Sequence, residues 1–289
     1  MRGDCLPPEL RLIAETELGE TDQGRTEALE RLNRLLDEEP ELNSRRDDEF
    51  LLRFLRVRKY DVDAALKKLK EYYRTRKEYP SVLENLVPSN VKPSARKVAM
   101  VLPQRDAHGR PVILLKAGAW DPQTTSYGEA LQALSVAVEH VTMDPVAQTI
   151  GVSCMTDYDG FTADKIVSVN FGLLKMSLKL LLNCVPVRIK AIHSVRESYA
   201  FDMAYAMIRH FLSKKTTDRI HFHGQNFEGL YKDMPVDMLP KEYGGLAPDF
   251  DFDAYWSGLE KADASYAENN NYGYLGKQSC SEEIEVTAF

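Results

Sequence analysis

The stretch "VRIKAIHSVRESYAFDMAYAMIRHFLSKKTTDRIHFHG", residues 187–224, decides the reading of this chain. It opens on "VRIKAIHSV", an apolar run of strand length, and closes on "RIHFHG", a second one. Between them lies a segment with helical spacing that is apolar on almost every side. Ala200, Met203, Ala204, Met207 and Phe211 form one stripe at i, i+3, i+4 and i+7 intervals, and Phe201, Tyr205, Ile208 and Leu212 form another. A surface helix normally buries one face and wets the other. Strand, doubly apolar helix and strand together predict a βαβ unit whose helix has more apolar surface than one core face uses.

The same alternation extends upstream. "VAMVLPQRDAHGRPVILLK", residues 98–116, is two apolar runs joined by a polar turn at Gly109, the pattern of a hairpin. "SYGEALQALSVAVEHV", residues 126–141, is a helix that begins in a capping box of Ser126 and Glu129. "GVSCMTDYDG", residues 151–160, is a strand, and residues 172–183, "GLLKMSLKLLLN", are a helix. Strands alternating with helices predict an α/β domain with a mostly parallel sheet. Residues 226–233 suggest a short helix, and 252–267 a final one. Before the hairpin the pattern is helical only. Leu29, Leu32 and Leu36 lie in one stripe; Leu51 to Leu55 lie in a second, for which Ser44 is a candidate cap; Val62, Ala65, Leu69 and Tyr73 lie in a third, capped by Asp61. The expected organisation is a tail at 1–24, a three-helix module at 25–80, an α/β domain at 93–250, and a helix with a flexible acidic tail at 251–289.

Composition narrows the function classes. With 44% apolar and 28% charged residues the chain is an ordinary globular one, and a net charge of −7 argues against a general nucleic-acid binder. "MRGDCLPPEL" lacks the apolar stretch of a signal peptide, and no run reaches the ~20 residues of a membrane span. The four cysteines, Cys5, Cys154, Cys184 and Cys280, have no CxxC spacing and are expected to be reduced thiols. These features predict a cytoplasmic protein.

No enzyme signature is found: no GxSxG elbow, no phosphate loop, no GxGxxG after a strand. His221 and His223 share a face if they lie on a strand, but no third metal ligand is apparent, and hydrogen-bonded structural histidines are the simpler expectation. Asp157 and Asp159 lack the rest of a calcium loop and fit turn capping. No metal, cofactor or catalytic residue is therefore called for. The basic residues say more. From Arg188 to Arg219 there are seven, against three acids, inside an acidic chain. Arg188 and Lys190 alternate on a predicted strand and so share a face, with Ile189 on the other. A solvated charge cluster is the bland reading. Beside a helix with a spare apolar face, a membrane surface is the sharper one.

These motifs resemble the CRAL-TRIO lipid-binding family. "DDEFLLRFLRVRKYDVDAALKKLKEYYRTRKEYP" (47–80) is similar to its N-terminal helical module, and "GRPVILLKAGAWDP" (109–122) to the hairpin that opens its lipid-binding domain. Residues 187–224 and "MLPKEYGG" (238–245) resemble its most specific signatures. The resemblance covers roughly residues 25–268, in the expected order, and is strongest to the alpha-tocopherol transfer protein-like subgroup, which also holds cellular retinaldehyde-binding protein and the clavesins. It implies an apolar pocket under a mobile lid helix, here Ser198 to Leu212. It also implies a phosphoinositide-binding cleft, whose basic positions fall on Arg58, Lys67, Arg188, Lys190, Lys215 and Arg219. The pocket positions it implies are Leu131, Leu134, Ser135 and Val138 on the long helix, and Val152, Cys154 and Thr156 on the strand, with Phe161 just beyond. Leu180, Leu181, Val185, Val187, Ile189 and Ile192 continue the lining, and Phe201, Met207 and Phe211 close it from the lid. Two departures stand out. Thr156 and Phe161 occupy positions that are aromatic in the tocopherol protein, one a phenylalanine and the other a tryptophan, and a pocket serine is displaced to Ser135.

The expected function is intracellular transfer of a small hydrophobic lipid, tocopherol-like (vitamin E) or retinoid-like. Exchange would occur at phosphoinositide-containing membranes, endosomal ones among them, to which the protein binds reversibly and peripherally. The alternative is a phosphoinositide-binding trafficking adaptor, like the clavesins, with lipid carriage secondary. The third reading, an enzyme acting on a lipid, lacks a nucleophile motif.

Overall fold

A computed structural model describes residues 6–276. Its centre is a five-stranded sheet whose spatial order follows the chain: β1 (Ala99–Arg105), β2 (Pro111–Lys116), β3 (Val152–Asp157), β4 (Ile189–Val195) and β5 (Ile220–Phe222). The β1–β2 hairpin is antiparallel, and each later pairing is parallel. The hairpin turn is built by Asp106, whose carboxylate accepts the amides of His108 and Arg110, and by Gly109 at φ 75°. Parallel pairing requires crossovers. The helices that supply them are α4 (Tyr127–Thr142) with α5 (Pro145–Ile150), then α6 (Phe171–Lys179), then α7 (Tyr199–Ile208). The Ser126–Glu129 capping box starts α4 as the sequence predicts.

Alternation along the strands creates two unlike faces. Val112, Leu114, Met155 and Val195 pack on one side against Leu230, Met234, Leu239 and Tyr243 from the segments that come after β5. Ile113, Val152 and Cys154 face the other side, toward Leu131, Val138 and Val141 of α4. One irregularity shapes this second face. Val152 pairs with Ile189 but Ser153 pairs with Ala191, so Lys190 is an extra residue in β4. This bulge lets Ile189 and Ile192, three positions apart, reach the same side.

The N-terminal helices α1 (Asp22–Asp37), α2 (Asp48–Val57) and α3 (Val62–Glu78) enclose their own core around Leu32, Leu51, Phe54 and Leu69. Asp61 caps α3 as predicted, but the cap of α2 is Asp47 rather than Ser44. Both chain ends add structure that periodicity does not show. Pro8–Ile13 and Ala14–Leu18 are helical, and Leu6, Ala14 and Leu18 are buried. The segment expected as a tail is fixed by Glu20, whose two carboxylate oxygens accept the Arg56 guanidinium, each at 2.8 Å. At the other end Gly273–Tyr274 pairs with Leu42–Asn43 and lays Tyr272 and Tyr274 against the helical core. The rest of the predicted acidic tail lies outside the described residues.

Candidate functional site

Between α4, α6, α7 and the inner face of the sheet lies a cavity of about 170 Å³. Its floor is Ile113, Leu115, Cys154, Thr156, Ile189, Ile192 and Ser194. One wall is Leu134 and Val138 of α4 with Leu178, Leu181, Val185 and Val187. The roof is Phe201, Tyr205 and Ile208 of α7 with Leu212, and Ile220 and Phe222 of β5 close the edge. The rings interlock. Phe201 lies 4.5 Å from Tyr158 and 5.7 Å from both Tyr205 and Phe222, centroid to centroid, and Tyr205 lies 5.3 Å from Phe222. Among the described residues, no charged side chain lines the space. Burial pushes the Cys154 thiol up to about 12, so it stays neutral.

The two stripes of the 187–224 helix therefore have different surroundings. Phe201, Tyr205, Ile208 and Leu212, the second stripe, face the cavity. On the first, Met207 and Phe211 stand 47% and 49% exposed. Phe211 reaches Phe171 at the start of α6, with centroids 6.4 Å apart, and Lys175 lies over the Phe171 ring.

Of the pocket positions taken from the resemblance, the structure gathers Leu134, Val138, Cys154, Thr156, Leu181, Val185, Val187, Ile189, Ile192 and Phe201 around the cavity. Leu131, Ser135 and Leu180 line a small adjoining void between α4 and α6. Val152 is packed in the core, Phe161 meets Tyr158 edge to face, and Met207 and Phe211 face outward. The lining residues that sequence reasoning missed had a signal. Ile113 and Leu115, and likewise Ile220 and Phe222, alternate with residues of the opposite face, and Tyr205, Ile208 and Leu212 complete the stripe that contains Phe201.

The basic positions divide. Arg188, Lys190 and Arg219 form a cluster at the start of β4. The Arg188 guanidinium donates to the carbonyls of Gln148 and Thr149, and that of Arg219 to the carbonyl of Ile189. Lys190 lies 3.6 Å from Glu17 of the N-terminal segment. Gly151, at φ 87°, admits this packing, because a Cβ there would lie 2.5 Å from the Arg188 carbonyl oxygen. Burial, with the neighbouring Arg219, holds Arg188 below its ordinary pKa. Burial, with Arg188 and Arg219, does the same to Lys190, against the pull of Glu17. Arg58 and Lys67 are exposed on the helical module, and burial, with Arg58 nearby, pushes the neighbouring Lys68 down to about 8. Lys215 is exposed after α7.

The two histidines of "HFH" stack on a third. His193, fully buried on β4, lies 5.2 Å from His221 and 5.3 Å from His223, and its Nδ1 is 3.1 Å from His223 Nε2. Stacked rings do not converge on a point, and among the described residues no group of three or more His, Cys, Asp or Glu is arranged to hold a metal.

A mostly parallel sheet with an apolar cavity roofed by a doubly apolar helix is the arrangement of a site for a hydrophobic ligand. The comparisons with known proteins give the family. Residues 95–245 match the CRAL/TRIO domain and residues 21–91 the Pinta-like UBA domain, and the chain belongs to the CRAL-TRIO family. It is 34% identical to human (Homo sapiens) alpha-tocopherol transfer protein-like over 256 residues, spanning 88% of this chain and 75% of the relative. It is 27% identical to rat (Rattus norvegicus) Clavesin-1 over 288 residues, spanning 96% and 80%. The crystal structure of Sfh5 superposes with a TM-score of 0.53 over 82% of this chain and 92% of that one, at 11% identity, a likeness of fold. Among the described residues, no helix is long and apolar enough to cross a membrane.

Proposed function

We propose that this protein is a lipid carrier that holds a small hydrophobic lipid, tocopherol-like or retinoid-like, beneath α7 and exchanges it at membranes containing phosphoinositides. One observation carries the reading: α7 and the turn that follows it roof an apolar cavity with one stripe and present Met207 and Phe211 to the outside with the other. Such a helix has an apolar partner in two positions, the lipid when closed and a bilayer when open. The cavity of about 170 Å³ is smaller than the roughly 300–1,000 Å³ of typical ligand sites, so loading requires a wall to move. The roof, whose outer stripe is exposed at Met207 and Phe211, is the wall proposed to move.

Burying a CH₂ gains about 0.8 kcal/mol in a bilayer or in a dry pocket alike. These gains nearly cancel on transfer, and modest terms then decide direction. A phosphoinositide headgroup supplies such a term. Its phosphates would offset the mutual repulsion of Arg188, Lys190 and Arg219 and take paired donors from arginine. Arg58, Lys67 and Lys215 extend the basic surface, at about 1 kcal/mol each near an anionic membrane.

The test is transfer of a fluorescent tocopherol between vesicles with and without phosphoinositide. The substitutions are Arg58→Ala, Lys67→Ala and Lys215→Ala, all at exposed positions. The wild type is expected to transfer faster to phosphoinositide vesicles. The triple variant should load normally but bind those vesicles roughly a hundredfold more weakly, from about 3 kcal/mol lost. Unchanged transfer by the triple variant overturns the docking step. The smallness of the cavity favours a second reading, an adaptor that binds phosphoinositide membranes with lipid carriage secondary; vesicle binding without transfer would select it.

A further inference from the structure

The cavity wall carries one feature that hydrocarbon packing does not explain. Thr156 on β3 and Ser194 on β4 are register partners across a parallel ladder, and both line the cavity. Neighbouring strands lie about 4.8 Å apart, so the two hydroxyls are close enough for one oxygen to meet both. Ser194 is 3% exposed and Thr156 9%. The Ser194 hydroxyl has no hydrogen-bond partner among the described residues. Buried polar atoms without partners are few in folded proteins, and each loses the hydration it had in the unfolded chain. Its surroundings offer no relief: Ile192, Phe201 and Phe222 are apolar, and the Cys154 thiol is a poor partner.

We propose that Ser194, with Thr156 beside it, is the polar anchor of the cargo, and that the cargo is a neutral lipid with a single hydroxyl or carbonyl group on an otherwise apolar body. The inference rests on the carrier reading and narrows its ligand class. A pure hydrocarbon would leave the Ser194 hydroxyl unmatched. A carboxylate or phosphate would bring a charge that no lining residue neutralises, at a large desolvation cost. A neutral alcohol satisfies the wall in both directions: it accepts from one hydroxyl and donates to the other. A carbonyl accepts from both.

The experiment compares two probes with one skeleton, geranylgeraniol and the matching C20 hydrocarbon, each equilibrated between full-length protein and neutral vesicles and quantified by mass spectrometry. The proteins are the wild type, Ser194→Ala and Thr156→Val, with folding verified by circular dichroism; the threonine variant stands in if the serine variant is misfolded. Ser194→Ala is expected to lower retention of the alcohol about tenfold, a lost hydrogen bond to a buried group, and to leave the hydrocarbon within about twofold. Thr156→Val should act in the same direction. If both probes change together, or neither changes, the anchor is overturned while the carrier reading stands. If the wild type retains neither probe, the cavity is no lipid site and both readings fall.

Discussion

Asp157, at the end of β3, is 1% exposed and carries a charge. Its carboxylate accepts two hydrogen bonds from the Arg196 guanidinium, one from the Tyr243 hydroxyl at 2.7 Å, and one from the Asp159 amide at 3.0 Å. Burial opposes its ionisation, but Arg196, Asp159 and Tyr243 together outweigh burial and hold the carboxyl below its ordinary value. A depressed carboxylate contributes stability that is present above its unfolded pKa and is lost as pH falls through the folded one. Asp157→Asn is therefore expected to cost about 3–5 kcal/mol at pH 7, the usual penalty for breaking a buried ion pair. Urea unfolding checks this, and the gap between variant and wild type should close as the pH falls below the unfolded value of ~3.9. A gap unchanged under acid would mean that shape, not charge, accounts for the loss. Only part of this was legible in the sequence. An aspartate near Gly160 reads as a turn cap, and the Asp159 amide bears that out. Arg196 and Tyr243 are 39 and 86 residues away along the chain, beyond the reach of any local pattern.

Strand β5 is the weakest element of the sheet: an edge of three residues held by the pairs Ile192–Ile220, His193–His221 and Ser194–Phe222. Its inward residues, Ile220 and Phe222, belong to the cavity, and its outer side is secured by the histidine stack. His193 meets His221 and His223 there, with Asp233 and Asp106 as the acidic groups around it and Glu197 near His223. Burial, with the two neighbouring histidines, pushes His193 down to about 4. A histidine held below its unfolded value of ~6.5 favours the folded state only while neutral, so stability is present above pH 6.5 and is lost as the pH falls toward 4. At pH 5 the loss amounts to about 2 kcal/mol, at 1.36 kcal/mol per unit. Hydrogen exchange at Ile220–Phe222, corrected for the intrinsic pH dependence of exchange, should accelerate roughly thirtyfold between pH 7.5 and 5, and His193→Phe should flatten that dependence. A flat wild-type profile would remove the stack from the account of β5. The element was legible as a strand because "RIHFHG" alternates. Its third histidine was not, since His193 reads as one more residue of the preceding strand. The bulge at Lys190 was equally hidden: no residue type marks it, and only pairing with β3 reveals it.

At the scale of the whole molecule, the two segments that periodicity leaves outside the domains hold them together. The expected domains span residues 25–80 and 93–250, with a tail before them and a final helix at 252–267 after them. In the structure Glu20 neutralises Arg56, which is 1% exposed, and Gln148 of α5 meets the same guanidinium at 2.8 Å, so the N-terminal segment joins helical module and sheet domain through one buried charge. From the other end Trp256, fully buried, packs with Leu86, Val91 and Ala133 and donates its indole N–H to the Arg96 carbonyl, while Gly273–Tyr274 closes on Leu42–Asn43. Such links are invisible in a sequence read segment by segment, because short, mixed segments gain their order from what they touch. The magnitudes decide whether they matter. Loss of a buried carboxylate from its arginine costs about 3–5 kcal/mol, and loss of a buried tryptophan about as much. Together these approach the 5–15 kcal/mol that holds an ordinary domain folded. A chain trimmed to residues 25–250 is thus expected to lose cooperative thermal unfolding and near-ultraviolet circular dichroism while keeping much of its helix signal. Glu20→Gln alone should remain folded with a Tm lower by roughly 6–20 °C, from about 3–5 kcal/mol at 2–4 °C per kcal/mol. Cooperative melting of the trimmed chain near the full-length Tm would show that the ends are accessories, and the lipid site could then be studied on the central residues alone.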